Sequence, residues 1–390
     1  MHSRRWGILA ALTFARTVMG FQFQTVAALS AALISEFHLS YATFGTLVGL
    51  YLLPGIAVAL PGGLIAQRFG DKRAVCAGLA AMAAGSTIMA LSDSAALLTT
   101  GRVLSGCGAV VLNVLVTKMV TDWFQGREIV TALGVLVSSW PLGIAVALLS
   151  IPALAAASSW RSGMWTAAAL NCAALIIVAL IYRTPPGRAA AAPGRLRIDL
   201  TARELALSVL SGGVWALFNM GLILVLTFGP AWAQANGMPV TLASALFSTV
   251  GWITIVAIPV GAMIAERMQR PMLTMIGCFL LAALAIALLP SVGISISLLV
   301  LIGAILGSPA GLIMALPGQA AAAERRAVAM GVYFTCYYVG MGVIPAAAGF
   351  ARDVSGSAAA PLYVAAATLL LAGLALVGFR MIRRRDVSRI

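Results

Sequence analysis

Long apolar runs that recur along the whole chain constrain this sequence more than any other feature. A helix that crosses a bilayer core of ~30 Å needs ~20 mostly apolar residues. Most of the runs reach that length, and the polar residues between them mark the turns. The pattern predicts an all-α integral membrane protein with twelve transmembrane helices, near 7–34, 42–66, 74–92, 95–120, 129–152, 162–182, 204–230, 240–265, 271–290, 293–317, 328–350 and 359–379.

The composition excludes a soluble protein. Hydrophobic residues make up 62% of the 390 positions and charged residues 9%, against roughly 45–50% and 25% in soluble domains. The lipid bilayer is therefore an expected partner. The five cysteines all lie inside apolar segments, so they are interpreted as small buried hydrophobes rather than as a disulfide framework.

The net charge of +14 has two possible meanings. Clustered bases are typical of nucleic-acid binding. Here, however, 21 of the 25 Lys and Arg residues fall at helix ends or in loops on one predicted side of the membrane, which is the bias of cytoplasmic loops. We therefore expect no nucleic-acid partner, a multi-pass protein of the bacterial cytoplasmic (inner) membrane, and both termini in the cytoplasm.

The chain divides into two halves that repeat one another. Residues 183–203 are basic and rich in Pro and Gly, which predicts a cytoplasmic linker between a six-helix half at 1–182 and a second at 204–390. The segment 62–69 aligns with 261–268 at an offset of 199, and 134–143 aligns with 331–340 at an offset of 197. The halves are predicted to be pseudo-symmetric.

The segment between the second and third helices carries the most specific motif. It reads Gly63-Leu64-Ile65-Ala66-Gln67-Arg68-Phe69-Gly70-Asp71-Lys72-Arg73, which resembles the gating motif of the major facilitator superfamily (MFS) of transporters. Gln67 stands where the family has an acid, and Asp71 where it has a base. The resemblance implies the MFS fold and a gating role for Gly63, Gln67, Arg68, Gly70, Lys72 and Arg73, with Glu266 and Arg267 in the second copy.

Two further stretches narrow the resemblance. Residues 102–108 are similar to the family's Arg-x-x-x-Gly-x-Gly pattern on the fourth helix. Residues 122–134 look like the loop found in the cyanate-permease-like and nitrate/nitrite-porter branches. The fifth helix has only Pro141-Leu142-Gly143 of the motif typical of drug exporters. An exporter of drugs or other lipophilic compounds remains the alternative function.

The charges at membrane depth favour an anion. None of the eleven Asp and Glu residues falls in the middle of a predicted helix, whereas two bases lie at depth, Arg16 near the middle of the first helix and Arg102 about two turns into the fourth. Each arginine costs on the order of 2.5–3.5 kcal/mol on insertion scales and should face water, a partner or the bundle interior. A guanidinium offers a planar fork of five donors that suits carboxylate-like anions. A carboxylate proton relay is not expected.

In the family, the first, fourth, seventh and tenth helices line the central cavity, so the resemblance implies a substrate site there. Each candidate also has an alternative to substrate binding. Arg16 could have a packing role, Arg102 a role in conformational or proton coupling, and the aromatic residues Trp215 and Phe218 a role in helix packing. The polar and aromatic candidates on these helices are Arg16, Gln22, Gln24, Arg102, Asn113, Trp215, Phe218 and Asn219.

The sequence lacks the residues that other classes of membrane protein require. The spans hold no paired carboxylates or Ser/His arrangement for an enzyme at depth and no His or Cys at ligand spacing from a Met at depth for a metal site, and the chain has no phosphate-binding loop for a pump. We expect no enzyme activity, no cofactor and no bound metal. The prediction is a monomeric secondary active transporter that moves a small organic or inorganic anion by alternating access, with direction and substrate identity open.

Overall fold

The computed structural model describes residues 2–58, 69–124, 128–185, 200–322 and 325–384. All regular secondary structure in these ranges is helical. Besides a single 3₁₀ turn at Pro317–Gln319, the helices are α1 His2–Ala28, α2 Ser30–Phe37, α3 Tyr41–Gly49, α4 Asp71–Ala90, α5 Ala95–Phe124, α6 Ile129–Ala157, α7 Trp160–Ile181, α8 Ala202–Ala235, α9 Val240–Met268, α10 Pro271–Val292, α11 Ile296–Gly307, α12 Ala310–Met314, α13 Arg326–Ser355 and α14 Ala360–Arg384.

The helices confirm a polytopic membrane protein. Within the described ranges, ten segments are long and apolar enough to cross a bilayer, and the bent pair α1–α2 makes an eleventh. The remaining predicted span, 42–66, begins with α3 and runs into residues 59–68, which lie outside the described ranges. Several helices extend beyond the predicted ends, since polar residues at the membrane boundary continue the helix without changing its hydrogen bonding.

Three predicted helices are broken rather than continuous. The first bends by 55° between α1 and α2, where the amide of Leu29 divides its hydrogen bond between the carbonyls of Thr25 and Val26, each at 3.2 Å. The second leaves the α-helix after Gly49 and turns over 50–54, ending at Pro54, which has no N–H to donate. The tenth divides into α11 and α12 just before Pro309.

Glycines bring α4 and α5 into backbone contact. A Cβ added to Gly108 would lie 2.2 Å from the carbonyl oxygen of Gly78, and one added to Gly101 would lie 2.6 Å from that of Gly85. These two contacts are seven residues apart on each helix, so both fall on the same face. Any larger side chain at these positions would separate α4 from α5.

Two compact units make up the chain. Unit 1 contains Met1–Leu39 and Thr46–Gly194, and unit 2 contains Ser40–Gly45 and Arg195–Ile390. In unit 1, α1 packs on α6 while α4 packs on α5 and α7. In unit 2, α8 packs on α13 and α14, and α9 packs on α11. The sequence did not indicate that residues 40–45 cluster with unit 2. Most of the predicted linker, 186–199, lies outside the described ranges.

Candidate functional site

Arg16 lies near the middle of α1 and is oriented by two neighbouring helices of unit 1. Its Nε donates to Oδ1 of Asn113 on α5 at 3.2 Å, and its Nη1 donates to the carbonyl oxygen of Leu136 on α6 at 2.7 Å. The side chain is half-buried. The structure thus brings together Arg16 and Asn113, two candidates that the sequence offered separately.

The carbonyl of Leu136 that accepts from Arg16 lies in the turn before a proline in α6. Pro141 lies inside the helix and has no N–H, so the carbonyl of Val137, next to Leu136, loses its helical donor. Ser139 also donates to the carbonyl of Leu136. The amide oxygen of Asn113 and this carbonyl are both neutral acceptors, and together they orient the guanidinium.

Arg102 is enclosed within unit 1, with none of its surface exposed. Four of its five donor positions meet backbone carbonyls, and its guanidinium lies over two aromatic rings. Direct substrate contact by Arg102 does not fit this arrangement, whereas its coupling role remains a prediction. The carbonyl partners are Leu47 at 3.0 Å, Gln22 at 3.3 Å, Phe23 at 3.0 Å and Val48 at 3.3 Å, and the rings are Phe23 at 5.6 Å and Tyr51 at 4.5 Å.

Two of the carbonyls that Arg102 binds, those of Leu47 and Val48, lie at the end of α3. The helix ends at Gly49, and the amide of Tyr51 turns to the carbonyl of Val48 at 3.5 Å rather than to that of Leu47. The carbonyl of Leu47 therefore needs another donor. Arg102 supplies it, so the buried charge and the broken second helix compensate each other.

Gln22 belongs to a second buried polar group in unit 1. It is 3% exposed, and its amide nitrogen lies within hydrogen-bond distance of the carbonyl of Met82 and the hydroxyls of Ser86 and Ser105, at 2.9, 2.5 and 3.0 Å. The phenol of Tyr51 donates to its amide oxygen at 3.0 Å. Gln24 is also fully buried. Gln22 is thus enclosed among α1, α4 and α5, and both glutamines are buried.

The candidates on the seventh predicted helix form an aromatic cluster in unit 2. Trp215 stacks on Phe218 with ring centroids 5.8 Å apart and lies 6.2 Å from Tyr337. Asn219 donates to the carbonyl of Trp215 at 2.8 Å, within the same helix. These contacts are the ones that the packing alternative predicts. The sequence analysis missed an aromatic group on one face of α13. Its members are Tyr333, Phe334, Tyr337 and Tyr338, whose rings contact one another.

In both units an ion pair joins the starts of two helices. In unit 1, Arg5 of α1 binds Glu128, the residue before α6, at 2.5 Å. In unit 2, Glu204 in the first turn of α8 binds Arg325, the residue before α13, at 2.9 Å. Glu204 also accepts from the backbone amides of Ala322 at 3.1 Å and Thr201 at 3.0 Å. Neither pair was predicted from the sequence.

Half of the predicted gating motif lies outside the described residues. This applies to Gly63, Gln67 and Arg68 and to the side chain of Glu266. Gly70 has the positive φ of 87° before α4. Asp71, which replaces the family's base, pairs with Lys118, and Lys118 also meets Asp122 at 3.3 Å. Lys72, Arg73 and Arg267 lie at helix ends, half-buried or exposed.

Two further kinds of reactive side chain are the possible metal ligands and the cysteines. In the ranges that the structure covers, no three His, Cys, Asp or Glu side chains converge as a metal site. All five cysteines are free. Their predicted full burial was wrong, because Cys172 is exposed and the other four are half-buried. An apolar exposed position on a spanning helix faces lipid rather than water, so the sequence pattern does not separate it from a core position.

The chain belongs to the Major Facilitator Superfamily, whose sequence profile matches residues 12–345 and, in a second match, 216–389. Among solved structures, a bacterial homologue of the human lysosomal transporter Spinster gives a TM-score of 0.75 at 16% identity, over 98% of this chain and 97% of that one. The transporter PepTSo gives 0.74 at 14% identity, over 97% and 98%. These similarities confirm the fold. The narrower likeness to cyanate and nitrate porters is not seen.

Three curated relatives have more specific names. The mouse facilitated glucose transporter member 10 of solute carrier family 2 is 27% identical over 70% of this chain and 55% of its own length. The inner membrane transport protein YajR of Escherichia coli is 31% identical over 34% and 28%. The hexuronate transporter of Bacillus subtilis is 28% identical over 38% and 30%. The matched region thus spans about half, or less, of each relative.

Proposed function

We propose that this protein is a secondary active transporter that binds a small anionic solute at Arg16 and exposes it alternately to the two sides of the membrane. The observation that carries the proposal is the position of Arg16. It is half-buried near the middle of a spanning helix, where a fixed charge is costly and is therefore a candidate for a functional role. Asn113 and Leu136 hold its guanidinium in one orientation, which favours recognition of a planar anion.

The charge distribution along the helices supports an anion over a cation. The described acids lie near helix ends or between helices, at Glu36, Asp71, Asp93, Asp122, Glu128, Glu204 and Asp353. In the described part of unit 1, the bases at membrane depth are Arg16, near the middle of α1, and Arg102, about two turns into α5. A cation would be repelled there, whereas an anion would form charge-assisted hydrogen bonds of roughly 2.7–2.9 Å with Arg16.

The relatives support a transport function but do not identify the solute. A hexuronate carries a carboxylate, so the Bacillus subtilis relative agrees with an anionic substrate. The mouse relative is named for glucose, which is neutral. Residues 183–203 and both termini are proposed to lie in the cytoplasm of a bacterial inner membrane, because the bases collect at those positions.

One observation favours the alternative, an exporter of lipophilic compounds. A cleft of about 420 Å³ lies along α1 and α6, and its lining is almost entirely apolar. Arg16 is not among its lining residues. A lipophilic substrate would occupy this cleft and would be insensitive to the charge at Arg16. The lining residues are Trp6, Leu9, Ala10, Thr13, Phe14, Thr17, Val135 and Leu142.

The test compares Arg16→Lys and Arg16→Gln with the wild type. Arg16→Lys keeps the charge but loses the fork, so binding of a planar anion should weaken at least tenfold, and Arg16→Gln should abolish it. Purified protein is heated with a panel of small organic and inorganic anions, since a ligand that binds only the folded state raises the unfolding temperature. Uptake of any stabilising anion is then measured in proteoliposomes.

The matched control is Arg161→Gln. Arg161 carries the same charge but lies partly exposed near the helix ends, where it pairs with Asp93 at 3.3 Å and Glu36 at 3.6 Å. This control should keep anion stabilisation and uptake. Full uptake by Arg16→Gln, or stabilisation of the wild type by lipophilic cations alone, would replace the anion proposal with the exporter.

A further inference from the structure

The end of α14 is rich in arginine, and the start of α8 adds another arginine to it. Arg380, Arg383 and Arg384 lie in the last five residues of α14, which ends at Arg384. Nη2 of Arg203, in the first turn of α8, donates to the carbonyl oxygen of Arg383 at 3.4 Å. Gln319 accepts from Nη1 of Arg383 and holds its side chain in place. Both helices belong to unit 2, so arginines 180 residues apart in the chain meet at one end of this unit.

A further arginine reaches the same level from α10. This helix packs on α14, and a Cβ added to Gly373 of α14 would lie 4.0 Å from the ring of Phe279. Because α14 is the third span after α10, the two helices run in opposite directions. Arg270 precedes Phe279 by nine residues, and Arg384 follows Gly373 by eleven. At about 1.5 Å per residue, both arginines lie roughly 13–17 Å from that contact and on the same side of it.

The acids whose side chains the structure describes in unit 2 leave these arginines in excess. The carboxylate of Glu204 is bound to Arg325 at 2.9 Å. Asp353 lies near the end of α13, which is on the other side of the membrane from the end of α14, because consecutive spans alternate in direction. Arg270 and Arg384 are exposed. A group of exposed positive charges favours an anionic partner.

The helix surfaces next to the arginines are apolar and face lipid. An exposed apolar side chain on a spanning helix lies against acyl chains. A ligand at this place therefore meets positive charge at one end and hydrocarbon-facing surface along the helices. A nucleic acid or an acidic protein would use only the charge, whereas a lipid with an anionic head uses both. The apolar side chains, each at least 42% exposed, are Leu273, Leu281 and Leu284 of α10 and Leu374, Val377 and Met381 of α14.

We propose that this arginine rim binds the headgroup of an anionic phospholipid, whose acyl chains lie along the exposed apolar faces of α10 and α14. The planar fork of an arginine binds phosphate oxygens in pairs, and bases that cluster beside a spanning helix attract anionic lipids. The lipid joins the ends of three helices that are distant in the sequence. The rim consists of Arg203, Arg270, Arg380, Arg383 and Arg384, and none of these residues belongs to the proposed solute site.

The test measures lipid binding by the purified full-length protein in detergent. Native mass spectrometry counts the bound lipids, and thermal unfolding measures stabilisation, since a ligand that binds only the folded state raises the unfolding temperature. The probes are phosphatidylglycerol and phosphatidylcholine with identical acyl chains, and inorganic phosphate. In the double variant Arg270→Gln with Arg384→Gln, the dissociation constant for phosphatidylglycerol should rise at least tenfold, the change that about 1.4 kcal/mol produces. Binding of phosphatidylcholine should stay the same.

The matched control is Arg4→Gln with Arg183→Gln. Both residues are exposed arginines of unit 1, so this variant loses the same net charge and should keep wild-type binding of phosphatidylglycerol. Unfolding temperatures without lipid show that both double variants are folded. An equal loss of binding in the two double variants would replace the rim with general charge attraction. Equal binding of the two lipids by the wild type, or equal stabilisation by inorganic phosphate, would also overturn the proposal. No solute enters the test, so its result is independent of whether Arg16 binds an anion.

Discussion

Two arginines that look equivalent in the sequence have different surroundings. Arg102 has no exposed surface and donates to four backbone carbonyls, whereas Arg16 is half-buried and held by one amide and one carbonyl. An arginine enclosed by carbonyls stabilises the fold, and a half-buried one can meet a solute. The first is interpreted as a positioning residue and the second as the binding residue.

Replacement of Arg102 should therefore damage stability rather than selectivity. Arg102→Leu removes the donor for the carbonyl of Leu47 and should lower the free energy of unfolding by about 2–4 kcal/mol, as expected when buried polar groups lose their partners. Arg102→Lys should fall between the wild type and Arg102→Leu, because an ammonium has three donors and no planar fork. Thermal unfolding in detergent measures the effect.

Arg16→Gln is the comparison for these variants and should unfold close to the wild-type temperature. If Arg102→Leu unfolds at the wild-type temperature as well, the carbonyl contacts contribute little and the structural role of Arg102 is wrong.

The sequence predicted which residue types to consider at the site but not their partners. Arg16 and Asn113 were both candidates, yet their contact depends on how α1 and α5 are placed, which no local pattern encodes. Gln22 was a candidate because it is polar in an apolar helix. Its enclosure by Ser86, Ser105 and Tyr51 depends on three other helices, and serines in a membrane helix give no sign of which neighbour they face.

At the scale of elements, the ion pairs of the two units correspond in position with their charges reversed. Glu204 follows Arg5 by 199 residues and Arg325 follows Glu128 by 197. These are the two offsets at which the sequence repeats. In unit 1 the base, Arg5, lies on the earlier helix. In unit 2 the acid, Glu204, lies on the earlier helix. The same two helix starts are thus joined in each unit by a pair of opposite polarity.

Reversing each pair tests how the two differ. Arg5→Glu and Glu128→Arg should each cost about 0.5–1 kcal/mol, since the pair is partly exposed and surface pairs are weak, and the double variant should recover the loss. Glu204→Arg should cost more, and Glu204→Arg with Arg325→Glu should recover only part, because an arginine cannot accept from Ala322 and Thr201. Unfolding temperatures in detergent give both coupling energies.

The single variants serve as the references for each double variant. Equal recovery in the two units would mean that the backbone bonds of Glu204 add nothing to its ion pair.

Helix breaks were harder to predict than helices. Hydropathy located the spans because about twenty apolar residues are needed to cross the bilayer. It gave no sign of the bend at Leu29, since the residues on both sides are equally apolar. The end of α3 before Pro54 was easier to predict, because proline lacks the donor that continues a helix. A turn inside a membrane span is stable only where other groups satisfy its carbonyls, and that depends on Arg102, which lies far along the chain.

At the scale of the whole molecule, the fold was the most predictable property and the division of the chain the least. The length and number of apolar runs predicted a polytopic helical protein, and the motif at 63–73 implied the MFS fold, which the family match confirms. The assignment of Ser40–Gly45 to unit 2 follows from contacts with Asp353 and Gly349, which lie near the other end of the sequence. No periodicity in the sequence encodes such a contact.

The orientation of the molecule is testable at two positions. In a variant whose five native cysteines are replaced, Ala190→Cys should react with a membrane-impermeant reagent only after cell lysis, because the basic linker is expected in the cytoplasm. Ser94→Cys, in the exposed turn between α4 and α5, should react in intact cells. Labelling is measured by gel shift, and reaction of the Ala190→Cys variant in intact cells would reverse the topology.

The contacts of Arg102 also bear on how the chain enters the membrane during synthesis. All four carbonyls that accept from it belong to residues 22–48, which leave the ribosome before residue 102 does. The N-terminal part of a chain is available first, so the acceptors are already present when α5 arrives with its charge. The insertion cost of an arginine, on the order of 2.5–3.5 kcal/mol, can therefore be offset within unit 1 before any of unit 2 beyond Ser40–Gly45 has been made.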